Sequence, residues 1–417
     1  MSESELSSHA RESISRIVVR LQERAAHTGA ARTMYAKTIA DLDGVRVQFS
    51  DGADQIMLAT YDYLGLLGHP RISQAAKNAV DAYGTGCHGS RVGGASLTLH
   101  TELEAEIARW TGRESAIVMS SGFATNYSVI SSLLGPGDWL LSDQLNHASI
   151  IDGCAAAKHT GAALKVYRHN DMAHLEELLQ QAPRGATKLV VADGVFSMDG
   201  DLLDLPTASG LCRRFGALLF VDEAHSFGVI GPHGGGIEDH YAMPGTIDLL
   251  MGTLSKTIPS AGGFIAGSHE VIEALRQSVR AYVFSGATSP PTTAAALEAI
   301  RLLQEEGVQR RTKLRHNIER LVRRLQAEGL HATATTSAIV PVILGEPETA
   351  VDVAQLCQER GVFIVAVGPP VVQPGSARLR LNVTAAHSAQ DIDTAAAVIA
   401  DAVCQVVHGD TVPARDT

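Results

Sequence analysis

No Gly-Lys dipeptide occurs in this chain, no two cysteines stand as CxxC, and no apolar run approaches the length of a membrane span. The first absence removes the phosphate loop of P-loop enzymes, which needs Gly-Lys followed by Ser or Thr. Asp222-Glu223-Ala224-His225 spells a helicase box, but without that loop it is not read as one. The second absence concerns five cysteines, at 87, 154, 212, 357 and 404. Their odd number and wide spacing argue against a zinc site or a disulfide framework and for a reducing compartment, so no metal site is expected. The third argues against a transmembrane helix. The N-terminus, MSESELSSHARESISR, lacks the basic-then-apolar order of a secretory signal, so a cytoplasmic protein is expected. Basic charge is also scarce: 34 Lys and Arg stand against 45 Asp and Glu, a net charge of -11. That is the reverse of a nucleic-acid-binding footprint.

What is present is globular. A length of 417 residues suggests two or three domains, at roughly 150 residues each. Ile14, Ile17, Val18 and Leu21 share one face of an expected N-terminal helix over 10–26, which needs something to pack on. A loop-rich section to about residue 56 follows, and LATYDYLGLLGHP (58–70) mixes a short strand with a turn. From about 70 to 285, helical stretches alternate with short apolar runs at 116–119, 139–141, 164–167, 189–192, 217–221, 249–251 and 264–266. Buried runs separated by helices predict an α/β protein with a mostly parallel sheet, which binds ligands at the carboxyl ends of its strands. After Pro290-Pro291 the texture changes to a long helix (292–329) and a smaller α+β unit, ending in a frayed tail, HGDTVPARDT. The expected division is 1–57, an N-terminal helix and segment; 58–290, a large domain; and 291–417, a small C-terminal domain.

GTGCHG (84–89) has the form GxGxxG, but a helical stretch precedes it where a dinucleotide site needs a strand. The basic run 310–324 reads first as a solvated helix face, with Leu314, Ile318, Leu321 and Leu325 on the other side. A weaker reading is a docking patch for an acidic carrier protein or for coenzyme A phosphates.

Three successive strand ends carry the chemistry. VVADGVFSMDGD (190–201), LLFVDEAHSFGVIG (218–231) and LLMGTLSKTIPSAGG (249–263) put Asp193, Asp222 with His225, and Lys256 on one edge of the sheet. A carboxylate at a buried strand end needs a partner. The partner is either Lys256 itself, in a structural ion pair, or the protonated ring nitrogen of pyridoxal phosphate, with Lys256 in a Schiff base. Thr253, Ser255 and the Gly262-Gly263 pair around Lys256 favour the second. MSSGFATN (119–126) offers a strand, Ser121-Gly122 and a helix start, where backbone N–H groups can hold phosphate. His147, after another strand, can lie flat over an aromatic ring.

With these residues the chain resembles the α-oxoamine synthases, a pyridoxal-phosphate family. The matching motifs are TYDYLGL (60–66), GCHGSRVGG (86–94), SSGFATN, NHASIIDG, DGVFSMDGD, VDEAHSFGVIGPHGGG (221–236), GTLSK (252–256) and ARLRLNVTAAH (377–387). They run in the family's order over nearly the whole chain. The resemblance implies a fold-type-I, aspartate-aminotransferase-like enzyme whose large domain holds a mostly parallel seven-stranded sheet. It also implies a homodimer with sites at the subunit interface.

By the same resemblance, Lys256 would bind the cofactor and act as the base on the substrate α-carbon. Asp222 would pair with the ring nitrogen and His225 with the phenolic oxygen. His147 would stack on the ring and polarise the thioester carbonyl. Gly122, Phe123 and Thr253 would hold the phosphate, with Ser285 and Thr288 reaching it from the partner subunit. Asp193 and Ser197 would support His147 and the ring edge. Arg380 would bind the amino-acid carboxylate, and Tyr61, Ser90 and His88 would stand at the substrate side. For His88 a surface position is equally open.

The implied reaction condenses a small amino acid (Ser, Ala or Gly) with an acyl thioester on coenzyme A or a carrier protein. It usually proceeds with decarboxylation, to an α-aminoketone. The alternatives are an aminotransferase or lyase of the same fold, or a non-catalytic partner subunit. The chain departs from single branches of the family. Tyr61 stands where the aminolevulinate and oxononanoate branches have Asn. Asp193 stands where they have Glu, Gly368 where serine palmitoyltransferases have Arg, and Pro259 where a glycine is usual.

Overall fold

The computed structural model describes residues 8–27, 37–332 and 336–409. The expected tail, apart from its first residues, lies outside them. The first helix runs Ser8–His27, and Ile14, Ile17, Val18 and Leu21 are all exposed on it.

Residues before 58 are not the loops expected. They form β1 (Ile39–Asp43), β2 (Arg46–Phe49) and β3 (Asp54–Met57), three short strands in an antiparallel meander. All five side chains of β1 are exposed, so no apolar alternation marks it in the sequence. Strand structure ends at Met57, and residues 58–69 are turns rather than a mixture of strand and turn.

Then come β4 (Ser115–Met119), β5 (Trp139–Asp143), β6 (Ala163–Tyr167), β7 (Lys188–Asp193), β8 (Leu218–Asp222), β9 (Leu249–Thr253) and β10 (Gly263–Gly267). These are the seven apolar runs read from the sequence. They form one sheet in the order β4-β10-β9-β8-β7-β5-β6. β10 is antiparallel to both its neighbours and the other pairings are parallel, so the expected mostly parallel seven-stranded sheet is present. Apolar side chains fill both faces, as a helix-covered sheet requires. Asp193 and Asp222 lie directly opposite in the β7–β8 register, so two carboxylates meet at one sheet edge.

Helix starts follow ordinary capping chemistry. Ser121, Asp171, Asp204 and Ser268 each accept a first-turn N–H through the side chain. The long helix runs Pro290–Ala327 and packs on the helices at 70–83 and 98–111 and on the last helix, Ala389–His408. Its basic stretch bears out the solvated-face reading at Lys313, Arg315, Arg323 and Arg324, with Leu314, Ile318, Leu321 and Leu325 buried on the other side, and corrects it at Arg310 and Arg311. Arg310 donates to the Leu64 and Gly65 carbonyls, and buried Arg311 donates to those of Gly228 and Pro232. Arg320 and Arg324 both hold Asp393. These arginines tie elements together.

Beyond it are β11 (Ile339–Gly345), β12 (Val362–Phe363), β13 (Val365–Val367) and β14 (Ala377–Asn382). β14 lies between β11 and β13, whereas β12 pairs in parallel with β3. The first and last thirds of the chain therefore share a sheet. Two more bonds join them: Asn382 N–H donates to the Leu58 carbonyl (2.7 Å) and Ala385 N–H to that of Tyr63 (2.8 Å).

Candidate active site

The carboxyl ends of β4, β7, β8 and β9 open into a cavity of about 250 Å³. Its wall includes Gly122, Phe123, Asn126, His147, Asp193, Asp222, His225, Thr253 and Lys256. Of fifteen predicted site residues, eight meet here, drawn from five separate motifs.

Asp222 is held at both oxygens. Oδ1 accepts from Ala224 N–H (2.9 Å) and Oδ2 from the Asn126 amide (2.6 Å). Asp193 accepts from the His147 N–H at 3.1 Å. Burial first, and then the charge of Asp222, push its carboxyl well above the ordinary carboxylate range.

Lys256 sits three residues beyond β9. Its Nζ is 3.0 Å from His225 Nε2 and 5.6 Å from the centre of the Tyr61 ring. Burial pulls the amine down to about 8, while Asp222 and Asp193 act against that fall. A lysine so placed offers its neutral, nucleophilic form far more readily than a surface lysine does. His225 is buried, and burial followed by the charges of Lys256 and Arg380 holds it well below the ordinary imidazole value. It is a neutral ring. His147 caps the helix Ala148–Ala157, and its Nδ1 is 2.7 Å from the Ser149 hydroxyl.

The helix that begins at Gly122 faces the same space. Ser121 Oγ takes the Ala124 N–H, and the N–H groups ahead of it have no partner within the helix. A side chain at Gly122 would press on Met251 and on Thr253 Oγ1, both at 3.1 Å. Thr253 Oγ1 is 2.8 Å from Ser255 Oγ.

Arg380, on β14, donates through Nε to the Ser197 carbonyl at 2.6 Å. Its guanidinium lies 5.3 Å from the centre of the Tyr61 ring, so the arginine and Lys256 both lie close to that ring. Ser197 belongs to the site through this carbonyl.

Besides Arg380, Tyr61 and Ser197, four predicted residues lie outside the cavity wall. His88 is exposed, and Ser90 Oγ accepts from Gly93 N–H. Thr288 accepts through its carbonyl from Cys87 and bonds His100, and Ala287 N–H donates to Gly89. Ser285 lies on the same stretch, partly buried. These residues form one neighbourhood of their own.

Sequence reasoning missed Asn126, Ser149 and Tyr63. Each lies inside a quoted motif, but only the folded chain sets Asn126 on Asp222, Ser149 on His147 and Tyr63 on His225.

The sheet order, the lysine after β9 and the carboxylate at the end of β8 define a fold-type-I pyridoxal-phosphate enzyme. The model of the aminotransferase class I and II family matches residues 53–399. The 8-amino-7-oxononanoate synthase of Geobacter sulfurreducens is 40% identical over 365 residues, 87% of this chain and 92% of the relative. The serine palmitoyltransferase of Bacteroides thetaiotaomicron is 39% identical over 361 residues, 87% and 90% of the two chains. In three dimensions, a serine palmitoyltransferase from S. paucimobilis with a bound PLP–myriocin aldimine superposes with a TM-score of 0.89 at 32% identity, covering 95% of this chain and 99% of that one. The chain belongs to the aminotransferase class I and II family, and within it to the α-oxoamine synthases. Its cofactor is pyridoxal 5′-phosphate, and its reaction joins an amino acid to an acyl thioester. No helix among the described residues is long and apolar enough to cross a membrane, and none of their acidic, His and Cys side chains cluster as a metal site.

Proposed function

We propose that this enzyme condenses a small amino acid, Gly, L-Ala or L-Ser, with an acyl thioester and releases thiol and carbon dioxide to give an α-aminoketone. The observation that carries this is the grouping of Lys256 and Arg380 around Tyr61: a reactive amine 5.6 Å and a buried guanidinium 5.3 Å from the centre of one ring. That spacing suits a substrate with an amine at one end and a carboxylate at the other.

The cavity fits the cofactor. The unpaired helix start at Gly122 and Phe123, with Thr253, suits its phosphate; Asp222 suits its ring nitrogen. Asn126 Oδ1, buried with no partner, leaves an acceptor in the same wall. Bound there, pyridoxal phosphate supplies an aldehyde that captures the amino acid and a ring that takes up electrons from the α-carbon.

Lys256 would hold the cofactor through its amine and would serve as the base that takes the proton from the amino acid's α-carbon. Asp222 keeps the ring nitrogen protonated by its charge. Arg380 grips the carboxylate as a two-pronged donor. His147 and His225 offer N–H groups to the thioester carbonyl and to the ring oxygen, and Asp193 holds His147 by its backbone.

The neighbourhood of Ser285, Thr288, His88 and Ser90 completes the cavity of a second copy, so the working unit is a homodimer. Phe284, 77% exposed, and Val92, 59% exposed, give this patch the apolar surface an interface uses. Five free cysteines support a cytoplasmic location.

The test is thiol release with product mass, for Gly, L-Ala and L-Ser against short, medium and long acyl-CoA. Release that needs one amino acid, with a product lacking one carbon dioxide, is expected. Conversion of the cofactor by an amino acid alone, with no thiol release on CoA or carrier protein, would point instead to an aminotransferase or lyase.

A further inference from the structure

His225 has two ring nitrogens with different neighbours. Nε2 faces Lys256 at 3.0 Å, inside the cavity. Nδ1 faces the hydroxyl of Tyr63 at 2.7 Å, behind it. The ring is 7% exposed and the tyrosine fully buried. Between two positive charges the imidazole is neutral, so it has one N–H and one lone pair. Which nitrogen carries the hydrogen decides what the ring offers to the cavity.

Tyr63 limits that choice. Burial keeps its hydroxyl protonated. The guanidinium of Arg380 also acts on the hydroxyl, through its charge and as a donor. Arginine has only donors. If Nδ1 carried the hydrogen, the hydroxyl hydrogen of Tyr63 would point at donors alone, inside a dry core. With the hydrogen on Nε2, Tyr63 donates to the Nδ1 lone pair and its oxygen faces the arginine. Nε2–H then needs an acceptor on the cavity side, which a neutral Lys256 amine 3.0 Å away can supply and the ring oxygen of the cofactor would supply in the loaded site.

We propose that Tyr63 is a positioning residue that fixes the tautomer of His225, so that Nε2–H points into the cavity as the donor to the ring oxygen of the cofactor. The inference rests on the reading of His225 as the partner of that oxygen. It adds a three-residue chain, Arg380 to Tyr63 to His225, that joins the amino-acid carboxylate site to the cofactor site. A hydrogen bond to an ionised oxygen favours its ionised form. Tyr63 therefore influences the protonation of the bound cofactor without touching it.

The experiment uses holoenzyme with ¹⁵N-labelled histidine, with the His225 signals assigned by their loss in His225→Gln. In the wild type, Nε2 is expected to be protonated and Nδ1 not; the reverse overturns the proposal and needs no variant. In Tyr63→Phe, which keeps the ring and removes only the hydroxyl, both signals shift. The pH midpoint of the cofactor's visible absorbance moves by about one unit. Tyr63→Phe added to His225→Gln moves the midpoint no further. Unchanged His225 signals in Tyr63→Phe overturn the proposal, as does a changed tautomer with an unmoved midpoint. If wild-type protein forms no visible band with pyridoxal phosphate, it is the cofactor reading that falls, and that result is independent of Tyr63.

Discussion

The Tyr63 hydroxyl lies 2.7 Å from Nδ1 of His225, and the other nitrogen of that ring lies 3.0 Å from the Lys256 amine. A residue from the turn at 58–69 thus stands directly behind the residue that faces the reactive lysine. The active site is built in depth, with a supporting layer behind the groups that face the cavity.

The depressed lysine gives a pH prediction. With the amine pulled down to about 8, the apoenzyme is expected to capture pyridoxal phosphate with a rate that rises through pH about 8, well below the 10.5 of a free lysine. Asp222→Asn removes a charge that favours the ammonium, so its midpoint moves further down. The rate of appearance of the visible band against pH measures both. A midpoint near 10 in the wild type would contradict the burial argument.

Arg380→Ala should separate the two substrates. Losing a buried charged donor costs about 2–5 kcal/mol. The KM for the amino acid is expected to rise about 30-fold or more, with a much smaller change for the acyl thioester. Steady-state kinetics with each substrate varied in turn gives the answer. Equal effects on both would argue against the carboxylate role.

Gly263 and Gly122 form a close contact that tolerates no side chain. A Cβ on Gly263 would lie 2.6 Å from Gly122 Cα. Gly263→Ala must push the start of the helix Gly122–Leu133 away from β10. Overpacking of this kind costs about 1–3 kcal/mol. A lower melting temperature and weaker cofactor retention on dialysis are expected together. A variant as stable and as fully loaded as the wild type would show that this contact yields easily.

His169 lies away from the cavity, with Nδ1 3.0 Å from Asp143 and Nε2 3.0 Å from Asp201. Burial lowers its pKa, but the two carboxylates outweigh that and raise it to about 10, from an ordinary 6.5. A raised histidine stabilises the fold fully below about 6.5, and the contribution disappears as pH climbs through about 10. The stability gap between wild type and His169→Gln, from urea unfolding, is expected to be largest at pH 6 and to close toward pH 10. A gap that widened with pH would reverse the argument.

The large sheet was legible in the sequence because its strands are buried on both faces and read as unbroken apolar runs. Strands β1 to β3 were not, since β1 buries nothing and β2 and β3 are four residues each. Lys256, Asp222 and His147 could be read because polar residues directly after apolar runs mark strand ends. Tyr63 and Asn126 carry no such mark. Their roles depend on which residues they meet, 162 and 96 positions away along the chain. Arg310 and Arg311 of the long helix misled for the same reason: periodicity gives the face, and only the fold supplies the carbonyls that they hold.

The bonds from Asn382 to Leu58 and from Ala385 to Tyr63 have a mechanical consequence. They clamp the turn that carries Tyr61 and Tyr63 to the end of β14, the strand that carries Arg380, while the Tyr63 side chain reaches across to the seven-stranded sheet at His225. The turn is a crank with one arm in each half of the molecule. A shift of β14 cannot leave the turn behind: it either carries Tyr63 with it, and so loads the contact with His225, or breaks one of these bonds.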